Sequence, residues 1–243
     1  MKIIPLDEGI YHVNQQKQYQ LVSYDEALPD QHTLRMSVRP FLVKTGKDVI
    51  LLDTGLAAKT NDDYLIKSLL AQNNITAAEV TKILLSHLHN DHIGGLGHFN
   101  AGTFQSHFAN ATIYLQQKEL AFALTQHDNT SYNMDLLQQL GGLPYVKLLN
   151  TDSGNITSNI NYRLVGDHTP YMQVFWLRNG NQTIFYGADD LPKKNYLDHH
   201  IAYKTDYDGR KAMDLRRQWE QQAKAEHWQV LFYHDTEVPS VQF

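Results

Sequence analysis

Residues 86–95 read SHLHNDHIGG and set three histidines and an aspartate within six positions, His87 to His92. Imidazoles and a carboxylate at such spacing are metal ligands or acid–base groups. The apolar run Ile83-Leu84-Leu85 reads as a buried strand ending at this cluster. Side chains at i and i+2 of an extended segment point the same way, so His87 and His89 can hold one cation from a strand end. Asp91 and His92 follow where the chain turns, and Gly94-Gly95 lets backbone pass closely. One segment can therefore serve two neighbouring ions, with His87 and His89 on one, Asp91 and His92 on the other. Each ion needs more ligands, since a closed zinc site takes about four and a catalytic one keeps a position for water.

Three other strand-like runs finish in a ligand type: His168 in GDHTP, Asp189 in YGADD and His234 in FYHD. A lone histidine among the 13 present is most often a surface or satisfied core residue. The HxHxDH cluster behind an apolar strand weighs against that reading, and the other three gain weight from it. Asp53 in LLDTG is either a turn residue bonding local amides or a carboxylate that supports a ligand from behind. The tandem His199-His200 reads as solvent-exposed.

The absence of cysteine excludes disulfides, cysteine nucleophiles, iron–sulfur clusters and Cys-ligated zinc. His and carboxylate ligands suit zinc, iron or manganese. A formal charge of -5 without a Lys/Arg block disfavours a nucleic-acid partner. No stretch of 18 apolar residues predicts a membrane span, and MKIIPLDEGIYHV is too polar for a secretory signal. The expectation is a cytoplasmic protein acting on a small-molecule substrate. No G-x-S-x-G or P-loop pattern offers a rival mechanism.

The elements that position these residues are strands then helices, twice over. LVSYD reads as a strand, and SVRPFLVK with DVILLDTG as a hairpin turned at Thr45-Gly46-Lys47-Asp48. NDDYLIKSLLAQ has helical spacing, and Thr76 with Glu79 forms a capping box. A loop HFNAGTFQSHFANA precedes the strand TIYL and helical pieces QQKELAFALTQ and NMDLLQQL. Strands NYRLVG, MQVFWLR and TIFYG follow, the last two joined at Asn179-Gly180-Asn181. DGRKAMDLRRQWEQQAKAEH is an amphipathic helix with Met213, Leu215, Trp219 and Ala223 inward, and QVLFYHD is a final strand. With 42% hydrophobic and 19% charged residues and no linker, residues 1–243 read as one domain, with a helical insert at about 102–145 near the groove. This order suggests two packed β-sheets with helices outside.

The ordered set ILLDTG, SHLHNDHIGG, GDHTP, YGADD and FYHD resembles the metallo-β-lactamase superfamily over nearly the whole chain. That resemblance implies an α+β fold, an αββα sandwich of two mixed β-sheets flanked by helices, with a dinuclear metal site in a groove at the sheet edge. It implies one metal on His87, His89 and His168, a second on Asp91, His92 and His234, and Asp189 bridging the two. Asp53 matches the aspartate that orients a ligand histidine. The chain departs from the common GHTPGH pattern by reading DHTPYM, so Tyr171 and Met172 stand where a glycine and a second histidine are usual.

Two divalent metal ions about 3.5–4 Å apart would share a hydroxide that attacks a carbonyl or phosphoryl centre. Asp91 would carry a proton to the leaving group. Tyr171 and Tyr132 are the expected substrate contacts, because a phenol both packs and donates. The pattern is most similar to the lactonase-like branch, which implies a lactone or carboxylic ester substrate, acyl-homoserine lactones among them. The alternatives are a phosphodiesterase using the same metal pair, and a metal-binding sensor without turnover.

Overall fold

Strand residues of this chain alternate between two cores, and that alternation builds the layers. The computed structural model describes residues 1–60, 63–199, 202 and 206–243. Ile50, Leu52, Leu84 and Tyr114 face Tyr162, Phe175 and Tyr186 in one hydrophobic cluster. Their neighbours Leu51, Ile83, Ile113 and Leu115 point the other way, against Ile66, Leu70, Leu120 and Leu137 of helices. Period-two side-chain placement forces this split. Each fully buried leucine such as Leu51 contributes roughly 1.5–3 kcal/mol relative to exposure.

Among the described residues the main layers are two six-stranded mixed sheets. The first runs, in spatial order, Lys2–Pro5, Phe41–Lys44, Val49–Leu52, Lys82–Leu84, Thr112–Gln116 and Val146–Leu149. Its first three strands are antiparallel and the remainder parallel. The second runs Ser153–Thr157, Ile160–Leu164, Gln173–Asn179, Gln182–Tyr186, Gln229–Leu231 and Ser240–Gln242. Only its Gln182–Tyr186 and Gln229–Leu231 pair is parallel. Helices Leu65–Gln72, Gln117–Ala123 and Met134–Leu140 cover the first sheet, and Gly209–Glu226 covers the second. The architecture is the expected αββα sandwich.

A three-stranded sheet, Tyr19–Val22, Gly9–Val13 and Leu34–Val38, sits beside the sandwich. Ser37 stitches it down, its hydroxyl lying 2.9 Å from the carbonyl oxygens of both Tyr233 and Asp235. No helix among the described residues is long and apolar enough to cross a membrane.

Several local expectations change in the fold. SVRPFLVK is not one strand: it breaks at Arg39-Pro40, and its halves join different sheets. Proline lacks the N–H a continuous ladder needs. The expected loop over 98–111 contains an antiparallel hairpin, Gly97–Asn100 with Thr103–Ser106. Within 102–145 the expected strand TIYL forms as Thr112–Gln116, inside the first sheet. In the long helix Ala212, Leu215, Arg216, Trp219 and Ala223 are buried while Met213 is only half-buried. The inward stripe is thus rotated from the expected one. QVLFYHD leaves the sheet after Leu231, and Ser240–Gln242 follows as a further strand.

Candidate metal centre

Five strands deliver their following residues to one edge of the sandwich. Val49–Leu52 leads to Asp53, Lys82–Leu84 to His87, Ile160–Leu164 to His168, Gln182–Tyr186 to Asp189 and Gln229–Leu231 to His234. His89 precedes the short helix Asn90–Ile93, which carries Asp91 and His92. Behind that helix the backbone approaches closely: a Cβ on Gly95 would lie 2.0 Å from the Thr54 carbonyl oxygen. The Gly-Gly pair therefore lets the Asp53 turn press against the histidine segment.

Two ligand groups result. His87, His89, His168 and Asp189 form one, Asp91, His92 and His234 the other, and the donor atoms within each lie within 4.8 Å of one another. His89 Nδ1 is 3.0 Å from His87 Nε2 and 3.3 Å from His168 Nε2. His234 Nε2 is 3.5 Å from Asp91 Oδ2, and His92 Nε2 is 3.8 Å from it. Asp189 lies between the groups. Its Oδ2 is 3.3 Å from His168 Nε2 and 4.0 Å from His87 Nε2, while its Oδ1 is 3.1 Å from both His92 Nε2 and His234 Nε2.

Surrounding groups settle which imidazole nitrogen faces inward. His92 Nδ1 sits 2.8 Å from Asp53 Oδ2 and donates to it, which turns Nε2 toward the centre. The Ser86 hydroxyl gives its one proton to Asp53 Oδ2 at 2.6 Å, so it accepts from His87 Nδ1 at 3.0 Å. His234 Nδ1 donates to the Ser37 carbonyl at 2.7 Å, and His168 Nδ1 to Asp206 Oδ1 at 3.2 Å. Asp53 also accepts from the Ser86 backbone N–H at 2.8 Å and from the Tyr186 hydroxyl at 2.6 Å. These bonds hold it at φ +56°, a left-handed conformation that non-glycine residues adopt only when the surroundings impose it.

Electrostatics favour ligation. Burial, then the neighbouring imidazoles, push His87 and His89 well below the usual histidine range, so they are neutral, the form that binds metal. Burial acts against ionisation of Asp189 too, but His234, His92 and His168 overcome it and hold its carboxyl well below the ordinary range. Burial lowers His92, yet Asp189, Asp91 and Asp53 outweigh it and raise the imidazole, so ligation there would release a proton. His92 Nε2, His234 Nε2 and Asp189 Oδ1 are buried without a hydrogen-bond partner, despite their 3.1 Å approach. Such atoms are rare in folded chains, and a divalent cation would satisfy all three. The donor set fits two such ions.

Of the remaining sequence candidates, Tyr132 stands edge-on to His89 with ring centroids 4.9 Å apart, in a cavity beside the centre. Tyr171 does not reach the centre: its ring packs edge-on against Phe122 at 6.1 Å and lies outside the cavity of the ligands. The residue after Pro170 is turned away because its segment continues into the strand Gln173–Asn179 of the second sheet. His199 is exposed, and His200 lies outside the described residues.

Sequence reasoning missed Asp206, Ser86, the Ser37 carbonyl and Glu119. Glu119 is buried and accepts from the Thr169 hydroxyl at 2.8 Å and the Leu88 N–H at 3.4 Å, tying the His87 and His168 loops together. Burial pushes it up to about 7 against those hydrogen bonds. Tyr19 was missed as well; it lines the ligand cavity. Except for Ser86, which opens the quoted stretch, none carries a motif, since each works through contacts between distant segments.

A family profile described as "Metallo-beta-lactamase superfamily" matches residues 35–189. No curated protein matches the chain. Among solved structures, a probable metal-dependent hydrolase from Staphylococcus aureus aligns at 16% identity and TM-score 0.78, covering 99% of this chain and 91% of that one. AidC, a dizinc quorum-quenching lactonase, aligns at 21% identity and TM-score 0.74 over 98% of this chain and 88% of its own. An N-acyl homoserine lactone hydrolase, with product bound at its catalytic metal centre, aligns at 19% identity and TM-score 0.71 over 97% and 94%. These identities speak for the fold, and the profile covers more than half of the sequence. The chain belongs to the metallo-β-lactamase superfamily of metal-dependent hydrolases.

Proposed function

We propose that this protein hydrolyses a lactone or carboxylic ester, acyl-homoserine lactones among them, through two divalent ions, with zinc the first choice. The observation that carries the reading is Asp189, whose two carboxylate oxygens face two separate ligand groups. In this reading His87, His89 and His168 would hold one ion and Asp91, His92 and His234 the other, with the Asp189 carboxylate available to both. Bound there, the ions supply water activation near neutral pH and polarisation of the carbonyl. The dizinc lactonase and the homoserine lactone hydrolase among the structural neighbours support the choice of substrate class and metal.

Water oxygen bonds to the acyl carbon, the acyl C–O bond breaks, and the leaving alkoxide gains a proton. Asp91 is the carrier, as a carboxylate that is buried yet lines the cavity. Lactone opening then leaves a carboxylate and a hydroxyl on one product.

The test pairs metal content with turnover. Plasma mass spectrometry on protein purified without a His-tag column should give close to two equivalents per chain. The protein should open lactones faster than it cleaves bis(p-nitrophenyl) phosphate. His89→Ala and Asp189→Ala should each abolish turnover and lower the bound metal. Faster phosphodiester cleavage with no lactone opening would overturn the substrate reading. Full metal content and activity in either variant would overturn the ligand set.

A further inference from the structure

The hairpin joining Gly9–Val13 to Tyr19–Val22 brings to this groove a side chain that the chemistry above leaves unused. Asn14 Oδ1 accepts from the backbone N–H groups of Gln16 and Gln18, each at 3.0 Å, and Asn14 Nδ2 donates to Gln18 Oε1 at 2.7 Å. An Asx turn of this kind fixes the loop without tertiary help. The register then sets Tyr19 opposite Val13, at the first position of the returning strand. Its ring packs edge-on against Tyr11, centroids 6.0 Å apart at 76°.

So held, Tyr19 lines the cavity that His89, Asp91, Asp189 and His234 also line. Its hydroxyl is within hydrogen-bonding reach of Asp91 and in the field of Asp189. The other tyrosine on this cavity, Tyr196, has the Arg216 guanidinium over its ring at 4.7 Å. Tyr132 lines the neighbouring cavity and Tyr171 lines neither. Tyr19 is thus the phenol set over both ligand groups, braced from behind and with its donor end in the groove.

We propose that Tyr19 donates a hydrogen bond to the carbonyl oxygen of the substrate and holds that oxygen as it becomes an oxyanion. The inference rests on the hydrolase reading above and adds a catalytic residue to it. The phenol transfers no proton: the new bond is water oxygen to acyl carbon, the broken bond is acyl C–O, and the alkoxide is protonated through Asp91. A preorganised donor aimed at developing charge strengthens its hydrogen bond in the transition state, which is why it acts on kcat more than on KM.

The test compares wild type with Tyr19→Phe, both metal-loaded, in kinetics, in metal content and in calorimetric affinity for an alkyl phosphonate monoester, a tetrahedral anion. Phenylalanine keeps the ring and its packing on Tyr11. The expected result is a fall in kcat on the order of 100-fold with little change in KM, unchanged metal content, and phosphonate binding weakened about tenfold or more. A kcat within about threefold of wild type would overturn the proposal, as would an activity loss that merely tracks lost metal. If wild type opens no ester or lactone, the hydrolase reading falls and the phosphonate arm still decides. Weaker binding by Tyr19→Phe then upholds the donor role, and equal binding sinks it.

Discussion

The carboxylate of Asp53 shows how one residue organises the centre without facing it. It accepts from His92 Nδ1, the Ser86 hydroxyl and N–H, and the Tyr186 hydroxyl, and through Ser86 it also sets the tautomer of His87. Removing such a partner typically lowers metal affinity 10–100-fold, because the imidazole loses both orientation and basicity. Asp53→Ala should therefore weaken metal binding by roughly that factor while leaving all seven proposed ligands in place. Competition with a chromogenic chelator measures this directly, and unchanged affinity would show that His87 and His92 are oriented by packing alone.

At the scale of elements, the turn after Val49–Leu52 is wedged between the helix Asn90–Ile93 and the segment after Lys2–Pro5. Glu8 is buried against it, with Oε2 accepting from the Leu56 N–H at 2.8 Å and Oε1 left without a partner. A Cβ on Gly55, at φ +77°, would lie 2.1 Å from Glu8 Oε1, so the turn closes over the carboxyl. Burial raises Glu8 to about 8, against the pull of the Leu56 N–H and with a further push from Asp91. The folded protein then binds this proton more tightly than the unfolded chain does. Its contribution to stability is full below the ordinary value of 4.5 and is lost as pH rises through about 8. The slope is at most about 1.4 kcal/mol per pH unit from this one group. Glu8→Gln should flatten that decline, which urea unfolding of both proteins from pH 5 to 9 will read. Parallel curves would mean the carboxyl is ionised in the fold.

For the whole molecule, the proposed metal site would join the two halves of the sandwich. His87, His89, Asp91 and His92 follow the first sheet, whereas His168, Asp189 and His234 follow strands of the second. Ions bound across that seam favour the folded state, by about 4 kcal/mol when present at a thousandfold their dissociation constant. Stripping with a chelator should lower Tm on the order of 10 °C, and zinc should restore it. Calorimetry that finds no shift would mean that the ions add nothing to the seam. The residues of HLHNDHIGG were legible from sequence because ligand type, i and i+2 spacing and a preceding apolar strand all lie within one short segment. His168, Asp189 and His234 were legible for a related reason, since each follows its own hydrophobic run. The layers too were legible, as alternation and helical spacing are local patterns. The break at Arg39-Pro40, the course of 98–111 and the turned-away Tyr171 were not, because strand partners and side-chain direction depend on what packs alongside. Tyr19 belongs with these. Sequence by itself determined which residues have the chemistry to bind two ions, since that is a property of residue type and short spacing. Only the tertiary structure decided which atoms of the two ligand groups face each other, which tautomers present them and which phenol lines their cavity, because those depend on contacts between segments far apart in the chain.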